Sequence, residues 1–317
     1  MNPDSLTLLL LCSQLGLDDD SVKPLTLREW NPLVRRLQAA SLRPSDLLAV
    51  STGDSPLELS PEERLRIASL VSRDIQHDLD HLASLGIYPL TRADADYPKK
   101  YRTHLKDSAP AVLFCAGEKA LLGQPGIAVV GSRHLDEAGQ ECAKFVGNAC
   151  GMSGQVLYSG GAKGVDTLSM ESALEARGAA VGVLADSLER AVRGPKEALK
   201  RGDLCLVTPY SPSAGFSVGA AMGRNRLIYT LADYAIVVAS DAETGGTWAG
   251  ATETLKNGWV PVFVLEHDAM PEGNKLLLQK GALAFPHPFR EMPVKLQAWL
   301  KDKASNLPVR PEQPNLF

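Results

Sequence analysis

At 317 residues, with 44% hydrophobic and 22% charged side chains, the chain has the make-up of a folded globular protein of one large domain or two. A formal net charge of −4 excludes a generally basic surface, so a polyanionic partner has to be met by a local patch. Five cysteines with no CxxC pair exclude a disulfide framework and a zinc site and suit a reducing compartment.

Residues 1–85 carry helical patterning. Asp4 or Ser5 is placed to cap a helix through Leu15, ended by Gly16. Its apolar run Leu6–Leu11 is far short of the roughly 20 residues of a membrane span. It also lacks the basic flank of a signal peptide, so a cytoplasmic protein without membrane contact is expected. A second helix starts near Thr26, with Leu27, Trp30, Leu33, Val34 and Leu37 at three-to-four spacing. Ser60-Pro61-Glu62-Glu63 supplies a cap, a first-position proline and first-turn acids, and predicts one helix from there to Leu85. His77 and His81 share a face of it; with no third ligand nearby they read as a solvated face, and no metal is expected.

From Gly86 the pattern changes to short apolar runs. Ile87–Leu90 is strand-like, and Pro110–Phe114 is extended again. Ile127–Val130 and Val156–Tyr158 have the length and branching of buried strands. Each enters a glycine turn, Gly131-Ser132-Arg133 and Gly160-Gly161-Ala162-Lys163-Gly164. Strands Ala179–Ala185, Asp203–Val207, Tyr234–Ala239 and Val260–Leu265 follow, separated by helical stretches. Six strands with helical crossovers predict an α/β fold with an open, doubly wound, mostly parallel sheet; a closed barrel needs more such units. Three segments result: 1–85 helical, 86–288 α/β, and 289–317, a short amphipathic helix with a Pro- and Asn-containing tail.

Four loops fall at strand C-terminal ends or in the connection after one. They carry Ser132 and Arg133; Ser159 to Lys163; Arg224 to Arg226; and Thr244 to Thr247, with Gly245 and Gly246 between. Glycines there let backbone N–H groups approach an anion, and helix N-termini add partial positive charge. With small hydroxyls and the cations Arg133, Lys163, Arg224 and Arg226, this is an inventory for phosphate. Four cations predict a salt dependence of nucleic-acid binding with a log–log slope of about −3. Neither GxxxxGK[ST] nor GxGxxG occurs, so no nucleotide or dinucleotide cofactor is expected. No Ser-His-Asp or Cys-His set is evident, and no catalytic residue is assigned. Asp166 opens a helix and reads first as its cap; Phe216, Tyr229 and Trp248 are candidates for stacking bases.

The GSR turn, SGGAKGVD, GRNRLI, the glycine loop near 245, and Pro271-Glu272-Gly273-Asn274 with Gly281-Ala282 resemble, in order and spacing, the DprA/Smf family of DNA-processing proteins. The resemblance spans roughly Gly86 to Phe285 and implies a Rossmann-like domain preceded by a small helical, SAM-like one. It implies a non-enzymatic protein that binds single-stranded DNA, forms a homodimer and helps load a RecA-type recombinase, in DNA processing, recombination and competence. Carried over, Arg133, Gly160, Gly161, Lys163, Gly164, Arg224, Asn225 and Arg226 contact or shape the phosphate path. Two alternatives stand beside it. One is a nucleotide-cleaving phosphoribohydrolase similar to the plant LOG proteins, echoed loosely by Gly245-Gly246-Thr247 with Glu253. The other is an anti-phage module in which such a protein restrains a partner toxin. The last five residues, Gln313-Pro314-Asn315-Leu316-Phe317, are similar to the peptide by which bacterial DNA-handling proteins dock on the sliding clamp. Gln313, Leu316 and Phe317 are its expected contacts.

Overall fold

The computed structural model describes residues 1–17, 22–54 and 57–305; the tail carrying Gln313, Leu316 and Phe317 lies outside them. The N-terminal helices are α1 (Pro3–Cys12), α2 (Leu27–Ala39), α3 (Pro61–Val71) and α4 (Gln76–Ser84). α1 starts earlier than expected: Pro3 takes its first position and the Asn2 side chain accepts from Ser5 N at 2.8 Å. Thr26 and Ser60 cap α2 and α3 through capping boxes with Glu29 and Glu63. The single helix expected from Ser60 to Leu85 is two, broken over residues 72–75. At that break Arg73 turns inward, and its guanidinium donates to the Leu10, Ser13 and Leu15 carbonyls at the end of α1. Closing the open end of α1 outweighs the propensity for one long helix.

The α/β part follows as β1 (Ile87–Thr91), α5 (Lys99–Leu105), β2 (Val112–Gly117), β3 (Gly126–Val130), α6 (Glu137–Ser153), β4 (Val156–Ser159), α7 (Val165–Glu175) and β5 (Ala179–Val183). Then come α8 (Leu188–Ala191), α9 (Lys196–Arg201), β6 (Leu204–Thr208), α10 (Val218–Tyr229), β7 (Tyr234–Val237), α11 (Gly245–Asn257), β8 (Val262–Glu266), α12 (Glu272–Gln279), β9 (Leu283–Pro286) and α13 (Leu296–Ser305). The nine strands form one sheet in the order β1-β2-β6-β5-β4-β3-β7-β8-β9. β1–β2 and β2–β6 pair antiparallel; the remaining pairs are parallel. The six expected parallel strands are all present. β9, at Leu283–Pro286, is a seventh, and the antiparallel ribbon β1–β2 extends the other side.

Successive residues of each strand face opposite layers. Ile127 and Val129 face one, Ala128 and Val130 the other. The first layer joins α1–α4, α6, α7 and α13 in one continuous apolar cluster, so the N-terminal helices and Leu300 of α13 share a core with the sheet. Trp299 of α13 meets Phe263 and Phe285 with ring centroids 5.8 and 5.6 Å apart. The second layer is α5 and α10–α12. α6 and α7 lie against each other because Gly147 has no side chain: a Cβ there would sit 2.3 Å from the Ser169 carbonyl.

Strand order reverses between β3 and β7. β4, β5 and β6 follow β3 to one side, and β7, β8 and β9 run to the other. Diverging crossovers open a crevice at the C-terminal ends of β3 and β7, where doubly wound sheets hold ligands.

Candidate nucleic-acid interface

A cleft of about 300 Å3 occupies that crevice. Its walls are the loop after β3 (Gly131, Ser132, Arg133, His134), the loop after β7 with the start of α11 (Asp241, Thr244 to Thr247), and one face of α10 (Ala221, Arg224, Asn225). Ile228 and Tyr229, both fully buried, underlie its floor. The two loops are tied where Ser132 N donates to the Ala239 carbonyl at 2.9 Å. The loop after β4 closes against the first: Gly164, at φ +90°, lies so near that a Cβ would stand 2.6 Å from the Ser132 carbonyl. Any side chain at 164 would separate the two loops.

The sequence-expected residues divide into three groups. Gly131, Ser132, Arg133, Asn225, Gly245, Gly246 and Thr247 come together around the cleft. Arg133 is exposed, its guanidinium carbon 5.8 Å from the ring centroid of Phe216. Phe216 is itself 54% exposed. Asn225 packs on the first turn of α11, where a Cβ on Gly246 would meet its amide nitrogen at 2.2 Å. Thr244 caps α11 without a side-chain hydrogen bond, so the N–H groups of that turn face the cleft.

Gly161 and Lys163 are exposed beside the cleft, on the loop after β4, but do not line it. Arg226, two residues beyond Arg224, lies off the cleft and is half-buried.

Ser159, Gly160 and Arg224 are buried and form the cleft's foundation. Ser159 Oγ donates to the Val129 carbonyl at 2.6 Å. Arg224, 6% exposed, donates through Nη1 to the Val183 carbonyl at 2.8 Å, and its Nε has no partner. Asp166 accepts from Gly160 N at 3.1 Å and Ala162 N at 3.3 Å, and faces Arg224 across Gly160. Asp166 thus ties down the glycine turn ahead of its own helix. Burial pushes its carboxyl above the usual range, opposed by the Arg224 charge and by those N–H groups. Burial likewise pulls the Arg224 guanidinium down, and Asp166 opposes it. The Arg224-Asn225-Arg226 run is therefore no uniform basic strip, because alternate residues of a helix point to different sides.

Among the stacking candidates, Tyr229 is fully buried with its hydroxyl 3.5 Å from the Thr247 carbonyl, which removes it. Trp248 is half-buried under Lys280. Phe216 is left as the open aromatic face. Glu253 is on the exposed side of α11 and does not line the cleft. His77 and His81 are exposed, with His81 Nε2 3.7 Å from Glu189. Among the described residues, no group of three His, Cys, Asp or Glu is set to hold a metal, and no helix is long and apolar enough to cross a membrane. A larger hollow, about 830 Å3, lies between the N-terminal helices and the loop after β6. Asp78 and Glu189 line it beside Lys23, a poor setting for phosphate.

Fold and cleft define a doubly wound α/β protein of Rossmann-like type, open at its strand-order switch. The model of the DNA recombination-mediator protein A family matches residues 89–291, and the chain belongs to that family, DprA/Smf. The DNA processing protein DprA of Bacillus subtilis is 29% identical over 197 residues, covering 59% of this chain and 65% of that protein. The chain spans under two thirds of the length of the curated relatives it matches. The crystal structure of DprA from Streptococcus pneumoniae superposes with a TM-score of 0.57 at 25% identity, covering 82% of this chain and 95% of that one. DNA processing protein A from Helicobacter pylori, solved to describe its single-stranded DNA binding mode, gives 0.56 at 24% identity, covering 69% and 96%. At that identity the likeness is one of fold.

Proposed function

We propose that this chain binds single-stranded DNA, without sequence preference, along the C-terminal edge of its sheet, in a recombination or DNA-processing role in the cytoplasm. The observation that carries the reading is the exposed Arg133 at an open cleft, beside Lys163 and facing the uncapped N–H groups of α11. Cations and backbone donors hold phosphates whatever the base, and Phe216 next to Arg133 offers a stacking face that a paired base does not need. Family membership supports the same reading.

The test is titration of labelled single-stranded and duplex DNA at several salt concentrations. With Arg224 buried, three cations remain, Arg133, Lys163 and the half-buried Arg226, so the expected log–log slope is about −2, not −3. Binding that ignores salt, or that favours duplex, would overturn the proposal.

On this reading the chain works by binding, not bond cleavage. Glu253, the carboxylate that a phosphoribohydrolase reading needs, lies away from the cleft. Nucleoside monophosphates incubated with the protein should release no free base. The same proposal extends to partners: a homodimer, hand-over to a RecA-type recombinase, and sliding-clamp docking through Gln313, Leu316 and Phe317. Restraint of a partner toxin is the rival role, and co-purification with such a protein would favour it.

A further inference from the structure

A small hollow of about 180 Å3, sharing no residue with the cleft, lies where the ends of β8 and β9 meet α6. Leu265 and Phe285 are its fully buried floor. Its sides are aromatic and reachable: Phe145 and Phe289 are each half-buried, with ring centroids 5.0 Å apart. Glu141 stands at the mouth, its side chain 60% exposed and its Oε2 3.4 Å from His287 Nε2. At this volume the hollow falls below the roughly 300 Å3 at which small-molecule sites begin, and suits the side chains of a peptide. The connection onward to α13 adds Met292, 61% exposed, and Val294, 46% exposed. Large apolar side chains grouped in the open and rimmed by polar groups mark a binding surface.

The chain itself carries a segment of matching chemistry. Beyond Ser305 the sequence includes Pro308-Val309-Arg310-Pro311-Glu312-Gln313-Pro314. Its prolines recur at every third residue, the repeat of a polyproline II helix, in which they share one face about 9 Å apart. Segments of that kind dock in aromatic-lined grooves, with little chain entropy left to lose. Two observations select this occupant. The first is reach. α13 passes the hollow with Trp299 5.2 Å from the Phe289 ring, and Ser305 is about 9 Å further along that helix. The six residues from Ser305 to Pro311 span up to about 20 Å, enough to return. The second is charge. Arg310 and Glu312 flank Pro311, while α6 presents Glu141 and the exposed Lys144 on the same face as Phe145.

We propose that residues 308–314 of the chain's own tail dock in this hollow, a proline against Phe145 and Phe289 and Arg310 on Glu141. Gln313 and Pro314 then belong both to the docked strap and to the clamp-type peptide, so the two dockings exclude each other. The strap stands apart from the DNA-binding reading, and its test involves no DNA.

The experiment uses full-length chains and a synthetic peptide of residues 306–317. One chain carries Pro308→Ala, Pro311→Ala, Pro314→Ala and Arg310→Glu, which free the hollow of its own tail; the parent keeps it. Calorimetric titration of the peptide into the tail-substituted chain should give a Kd of about 0.1 mM. In the parent, a tethered tail at an effective concentration of about 1 mM fills the hollow and should weaken the free peptide about tenfold. Glu141→Lys in the tail-substituted chain should weaken the peptide by about fivefold, and a peptide with Arg310→Glu should regain that loss. On the chain that keeps Glu141, the same reversed peptide should bind about fivefold more weakly, with no change to the protein at all. Equal affinity for parent and tail-substituted chain overturns the proposal, as does no binding to either, or binding indifferent to both charge reversals. Sedimentation at rising concentration should give both chains the same mass. Association of the parent that the tail substitutions abolish would put the strap in a neighbouring copy and overturn the intramolecular assignment.

Discussion

Gly160→Ala is the substitution for which the structure gives the sharpest expectation. The backbone at 160 is not in the left-handed region, so alanine brings no conformational strain there. What it brings is a methyl group in occupied space. The new Cβ would stand 1.6 Å from Arg224 Nη1, 2.5 Å from its Cζ and 2.6 Å from Asp166 Oδ2. The guanidinium has to move, and Nη1 then gives up the Val183 carbonyl. Overpacking a buried site destabilises by about 1–3 kcal/mol. Loss of a hydrogen bond from a charged donor adds about 1.5–3 kcal/mol. A loss of about 3 kcal/mol or more follows, and at about 2–4 °C per kcal/mol for a chain of this size the melting temperature should fall by about 6–12 °C. The control is Gly219→Ala on α10, where no atom lies within 4 Å of the added Cβ. Removing a glycine from a helix there should stabilise by about 0.5 kcal/mol. Urea unfolding of both variants with a common slope measures the difference. Gly160→Ala within about 0.5 kcal/mol of the parent, the spread of ordinary surface changes, would refute the packing argument.

Other consequences are open to measurement. Arg133→Ala and Lys163→Ala should each weaken single-stranded DNA binding equally for all sequences and flatten the salt slope by about 0.7; anisotropy titrations against two unrelated oligonucleotides read both quantities. Burial pushes the thiols of Cys142 and Cys150 up to about 12, so iodoacetamide at about pH 8 should leave them unmodified until denaturant is added, as mass spectrometry of the alkylated chain would report. Glu29, hydrogen-bonded by Arg66 across 2.5 Å, is held down to about 2 from an ordinary 4.5. Its folded-state value is the depressed one, so its contribution is complete above about pH 4.5 and disappears as pH falls toward 2. Glu29→Gln should accordingly flatten the acid limb of a stability–pH curve and leave the neutral region's shape alone. Truncation after Pro311 should abolish clamp binding in a pulldown, and equal capture of both chains would exclude the tail as the contact.

The α/β alternation was readable because buried parallel strands are apolar on both sides and glycine turns punctuate them. Ile127–Val130 and Val156–Tyr158 need no tertiary information to be placed. Which turns meet is a property of strand order, and nothing local in the chain encodes that β7 lies beside β3. β9 escaped notice because four residues ending in proline carry little pattern, and only pairing with β8 makes them a strand. The arginines misled for a different reason. Arg224 and Arg226 look alike in a motif, yet Arg224 turns under the glycine loop to Asp166 while Arg226 stays off the cleft. Period-two spacing in a helix is the one arrangement that separates neighbours so fully. Asp166 has the sequence position of a helix cap, whereas it accepts from the turn before it.

The ends of the sheet bear on how copies of this chain can meet. A sheet edge invites another strand wherever consecutive N–H and C=O groups stand unpaired. Here one boundary strand, β1, carries Pro89 at its middle, and the opposite one, β9, is only Leu283–Pro286, closed by a proline. Each proline withholds the donor that a growing ladder would need. Two molecules lying side by side would therefore be joined through helices or loops, with each sheet kept whole. A filament built from continuous strands is disfavoured by the same two residues, so copies of this chain can crowd together without the sheet becoming the template for aggregation.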